Sequence, residues 1–105
     1  MVQKQILRPE RVRRISGGFS FIPHRFLNEG FISLLSPAEL LLYFFLVLAS
    51  DSNGLSYYSE RRICALLHIR SDTYSQARQS LIQKDLIAFD GTLFQVLELP
   101  GEILK

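Results

Sequence analysis

The chain has 105 residues, enough for one domain and too few for two independent cores. Its 48% apolar and 21% charged content excludes a globally disordered or fibrous protein. The net charge of +2 is unevenly spread: Lys4, Arg8, Arg11, Arg13, Arg14 and Arg25 against Glu10 give residues 1–25 a sum of +5, and the remainder sums to −3. A single cysteine, Cys64, cannot form an internal disulfide, and no Cys/His cluster has zinc spacing, so no metal site and a reducing compartment are expected. The longest apolar run, Leu40 to Ala49, has 10 residues, against the roughly 20 needed to cross a bilayer. Arginines interrupt every candidate signal-peptide core, so a cytoplasmic protein with no membrane partner is expected.

Met1 to Gly18 is polar and basic and ends in Ser16-Gly17-Gly18; the expectation is a basic flexible leader over 1–18 and a folded domain over 19–105. Phe19 and Phe21 alternate as a short strand would, ended by Pro23, and residues 24–33 predict a short helix closed near Gly30. Ser36-Pro37-Ala38-Glu39 is a helix start, since Ser caps free amides, Pro fits the first turn and Glu completes a capping box. The helix then runs through Leu48 and is apolar on every side. Two readings stand for it: a central core helix, or one that shares a spare face, Leu41, Phe44, Phe45 and Leu48, with a second copy or another protein.

Asp51-Ser52-Asn53-Gly54 is a turn cluster, and Leu55 to Tyr58 reads as a short strand. Ser59 caps a helix over Glu60 to Leu67, His68-Ile69-Arg70 makes a tight connection, and another helix opens at Ser71 or Asp72 and runs to about Lys84. At 100° per residue, Tyr74, Ala77, Leu81 and Ile82 gather on one side of it, with Asp72, Gln76, Gln79 and Gln83 opposite. Leu86 to Phe89, Asp90-Gly91 and Thr92 to Leu99 read as a hairpin with a two-residue turn; direct pairing sets Phe89 opposite Thr92 and Ile87 opposite Phe94. The predicted class is mainly α with a small β-sheet, three core helices followed by a C-terminal hairpin.

Ile63, Cys64, Leu67, His68 and Ile69 carry the apolar, small, apolar, turn, apolar spacing of helix-turn-helix domains, and Thr73, Tyr74 and Ala77 stand where their recognition helix favours Thr, an apolar residue and Ala. With Phe21-Ile22-Pro23 and Leu35-Ser36-Pro37, residues 19–99 resemble the winged helix-turn-helix domains of bacterial, plasmid and phage replication initiators and of the DnaD-like primosomal proteins. The resemblance implies a winged helix whose hairpin is the wing, binding double-stranded DNA in replication initiation or transcription control, with a homodimer or replication-protein partner. Three departures stand out. His68 occupies the usual glycine turn, Gln76 replaces a frequent Arg, and Arg78 lies near the inner side of its helix, either snorkelling from the core or reaching outward.

A helix fits the major groove, where Gln reads adenine and Arg reads guanine or holds phosphate. The candidate DNA contacts are Arg61, Arg62, Arg70, Thr73, Ser75, Gln76, Gln79, Gln83 and Lys84, with Arg8, Arg11, Arg13 and Arg14 as a basic arm. A solvated polar face and a plain soluble tail are the bland alternatives. Charge favours contact, because residues 60–84 sum to +3 while 26–59 and 85–105 sum to −3 each. The hairpin tip carries Asp90 and no cation, so the wing is expected to add no phosphate contact. No phosphate-cradling glycine loop, paired carboxylates or nucleophile with a base is present, so neither an enzyme nor a cofactor or small-molecule substrate is expected.

Overall fold

The computed structural model describes residues 4–101. Residues 1–3 of the expected leader and 102–105 of the expected domain lie outside the described residues. The fold is mixed α+β, with helices α1 (Arg25–Asn28), α2 (Pro37–Ala49), α3 (Glu60–Leu67) and α4 (Ser71–Gln83) and strands β1 (Leu55–Ser56), β2 (Ile87–Phe89) and β3 (Phe94–Val96). The strands form one antiparallel sheet in the order β1-β3-β2. Among the described residues, no helix is long and apolar enough to cross a membrane.

Local chemistry sets the helix starts. The Ser36 and Ser59 hydroxyls accept from the Glu39 and Arg62 amides at 3.2 Å each, satisfying one of the free N–H groups that open α2 and α3. Between α3 and α4 the chain reverses at His68, which adopts the left-handed conformation (φ 56°, ψ 45°), while the Ile69 N–H donates back to the Cys64 carbonyl at 3.1 Å. This resolves the first departure: histidine takes the glycine-like turn rather than displacing it.

Packing then joins the elements. Leu42, Leu46, Ile63, Leu81 and Phe94 are fully enclosed, so α2, α3, α4 and the sheet share one core. Each such side chain contributes about 1.5–3 kcal/mol relative to leaving it exposed. Tyr43 extends that core toward α1 by stacking on Phe26 at 4.9 Å between centroids. Of the spare face, Leu41, Phe44 and Leu48 are exposed, whereas Phe45 is half-buried with its ring edge-on to Tyr58. Leu42, Tyr43, Leu46 and Val47 are core, as the first reading of α2 expects, while an uncovered apolar stripe remains.

Four expectations need correction. Phe19 and Phe21 form no strand; they are exposed, and none of the described strands pairs with them. The helix expected over 24–33 stops at Asn28, because Gly30 (φ 86°) turns the chain into a separate 3₁₀ turn, Ile32–Leu34. Only Leu55 and Ser56 of the expected Leu55–Tyr58 strand pair with β3. The hairpin pairs Ile87 with Val96 and Phe89 with Phe94, a register two residues away from direct pairing. The Asp90 carboxylate explains the shift, since it accepts from the Thr92 and Leu93 amides at 2.9 and 2.7 Å and closes a four-residue loop. A slip of two keeps every side chain on its face, so Phe89 still stacks on Phe94 at 4.2 Å.

Candidate nucleic-acid interface

Tyr74, Ala77 and Leu81 anchor α4 in the core. With one side of the helix fixed, the opposite side, Asp72, Gln76, Gln79 and Gln83, is exposed as a row running the length of α4. Thr73 and Ser75 are half-buried at the edges of that row near the helix start. The Ser71 hydroxyl donates to the Glu60 carboxylate at 2.7 Å, so the first turns of α3 and α4 lie side by side.

The cations differ in what holds them. Arg61, Arg62 and Arg70 are exposed; Arg62 lies over the Tyr58 ring at 5.7 Å, and Arg70 stands 3.5 Å from Asp72, a loose surface pair worth little. Arg8, Arg11, Arg13 and Arg14 are exposed on the segment before the core, where Arg8 pairs with Glu10 at 2.8 Å. Lys84 belongs with neither set. Its ammonium is turned inward, donating to the Leu34 carbonyl at 2.8 Å and to Glu39 at 2.7 Å, so it is withdrawn from the candidate contacts. Arg78, which the sequence leaves between two positions, stands apart again. Its guanidinium lies between the Tyr74 and Phe89 rings, 5.3 and 5.0 Å from their centroids, beside a cleft of about 370 Å³.

Besides Glu60 and Asp72, further acidic groups lie after α4. Asp85, Asp90 and Glu98 are exposed on the segment that follows α4, and no lysine or arginine lies among the described residues after Lys84. Backbone amides of Leu93 and Thr92 hold the Asp90 carboxyl below its ordinary value, so the loop tip stays anionic. No cluster of three or more metal-ligating side chains occurs among the described residues. Cys64 is half-buried, and burial with the nearby Glu60 charge pushes its thiol up, away from the reactive thiolate.

An exposed amide row bordered by exposed arginines can hydrogen-bond base edges and neutralise phosphates. Comparison of the chain with protein-family models, with curated proteins and with solved structures finds no match.

Proposed function

We propose that the chain is a non-enzymatic winged helix-turn-helix module that binds duplex DNA, acting in replication initiation or transcription control. The observation that carries the reading is the exposed row Gln76, Gln79 and Gln83 on a helix whose other side is anchored, with Arg61, Arg62 and Arg70 exposed around the α3–α4 turn. In this reading α3 and α4 are the helix-turn-helix, α4 enters the major groove, and β2–β3 is the wing. Gln76 and Gln79 read adenine edges, Gln83, Thr73 and Ser75 add hydrogen bonds, and the arginines hold phosphates. Arg8, Arg11, Arg13 and Arg14 track the backbone or enter the minor groove. The wing, lacking a cation, adds none of the charge contacts common to this fold.

Titration of fluorescent duplex DNA at rising salt tests it. The expected result is binding whose affinity falls steeply with salt, with a log–log slope near −0.9 per phosphate neutralised. No binding at low salt overturns the reading.

The exposed stripe of Leu41, Phe44 and Leu48 favours a second reading, a protein-interaction module that retains the same fold and pairs through α2. Mass in solution as a function of concentration separates the two, because a stable oligomer without DNA affinity supports the second reading alone.

A further inference from the structure

Arg78 is a cation that forms no ion pair among the described residues, although the Glu60 carboxylate lines the same cleft. Arg8, Arg25 and Arg70 each lie within reach of a carboxylate, at 2.8, 2.9 and 3.5 Å. Arg78 forms no ion pair among the described residues, and its Nε is shielded from solvent without an acceptor. A shielded, unpaired N–H of a charged group is costly, and native proteins keep few of them. The Arg78 guanidinium lies within cation–π distance of rings from two different elements, Tyr74 of α4 and Phe89 of β2.

The surroundings say what would complete it. The adjoining cleft, about 370 Å³ and so at the lower end of the size of small-ligand sites, is lined by Arg78 together with Tyr57, Ser59 and Thr92, which offer hydroxyl groups. Ser59 accepts from the Arg62 amide, which leaves its hydroxyl hydrogen free to donate. Among the described residues Glu60 is the only carboxylate in the lining, and it accepts from Ser71 at 2.7 Å. Arg62 adds a second cation beside the cleft, over the ring of Tyr58, another lining residue. A guanidinium fork that makes no ion pair, among hydroxyl donors, matches a tetrahedral oxyanion.

We propose that the cleft between the start of α3, α4 and the β2–β3 loop seats a phosphate group on Arg78, supplied by the nucleic-acid backbone. The inference rests on the DNA-binding reading and deepens it: the wing side of α4 grips the strand through this cleft rather than through a cation at the wing tip. Arg78 thus acts where the wing's own sequence offers nothing.

The side-chain Nε–H resonance of Arg78 in a ¹H–¹⁵N spectrum reports on the seat directly in the unaltered protein. Two probes are titrated at low salt, a short DNA duplex and inorganic phosphate. The expected result is a shift that saturates with the duplex at the same midpoint as the Gln76 and Gln79 side-chain amides. Arg78→Gln is then expected to weaken duplex binding about tenfold and to reduce the salt slope by about one. A duplex that moves Gln76 and Gln79 but leaves the Arg78 resonance still overturns the seat and spares the DNA reading. A saturable Arg78 shift with inorganic phosphate, where duplex moves neither Arg78 nor Gln76 and Gln79, overturns the backbone as the source of the phosphate and removes the DNA reading. No shift with either probe overturns both. The resonance decides even where Arg78→Gln fails to fold.

Discussion

The Lys84 ammonium stands 2.7 Å from the Glu39 carboxylate, which fastens the end of α4 to the first turn of α2 across the core they share. The pair is largely shielded, and Lys84 also donates to the Leu34 carbonyl, so the lysine serves the fold rather than a ligand. Lys84→Met leaves two acceptors without their donor, and a decrease of about 1–3 kcal/mol in stability to urea is expected. Duplex affinity measured on the folded variant should stay within about twofold of the parent, since the inward-turned ammonium holds no phosphate.

The same pair sets an acid limit. Burial raises the Glu39 carboxyl, but the Lys84 hydrogen bond and charge, with Ser36, outweigh it and hold the carboxyl below its ordinary value. A carboxyl depressed in the folded state stabilises above its unfolded value, and that contribution disappears as pH falls through the folded one. Unfolding free energy should therefore fall on acidification below about pH 4.5. In Lys84→Met, burial acts unopposed by the ammonium, and this part of the acid-side decrease should shrink. Denaturation curves of both proteins at pH 7 and pH 4 check the sign.

Which features were legible in the sequence follows from the range over which each is determined. Ser36 and Ser59 act on amides three residues away, so both helix starts could be read directly. The amide row of α4 follows from periodicity alone. Lys84 finds its carboxylate 45 residues earlier in the chain, and a lysine at a helix end otherwise looks like one more basic edge residue. Arg78 depends on Phe89 in the same way, through a strand that is a different element of the fold. The hairpin register turned on whether the Asp90 side chain bonds its own loop, a choice that Asp-Gly leaves open.

His68 adopts φ 56° with its side chain exposed, so glycine there would relieve backbone strain and sacrifice no packing. The gain is partly offset by the greater freedom of glycine in the unfolded chain. His68→Gly is expected to stabilise by about 0.5–1 kcal/mol, raising the melting temperature by a few degrees. A destabilised variant would show that the imidazole makes a contribution beyond the turn.

Gly54 stands at the opposite extreme. Its φ is 84°, its carbonyl accepts from the Val96 amide at 2.8 Å, and an added Cβ would lie 2.5 Å from the Val96 carbonyl oxygen. Neither the backbone angle nor the central strand can yield cheaply. Gly54→Ala should cost on the order of 3 kcal/mol and separate β1 from β3. Faster hydrogen exchange at the Val96 amide, compared with amides inside α4, would locate the damage.

The DNA reading divides its contacts into two kinds that mutate differently. Gln76 and Gln79 lie one turn apart on the exposed side of α4 and carry no charge, so they can discriminate bases and add little nonspecific affinity. Gln76→Ala with Gln79→Ala should cost about 1–3 kcal/mol for each bidentate pair removed on the preferred sequence and leave random duplex binding nearly unchanged. Arg11, Arg13 and Arg14 are exposed and sit before the core, and phosphate contacts carry no sequence information directly. Replacing these three by Gln should weaken binding to preferred and random duplexes alike and flatten the salt slope by up to about one unit for each phosphate no longer neutralised. Selection from a random duplex pool, followed by salt titrations on the winner and on a scrambled duplex, separates the two effects. Equal weakening on both duplexes from the Gln76→Ala and Gln79→Ala substitutions would mean that α4 does not read bases.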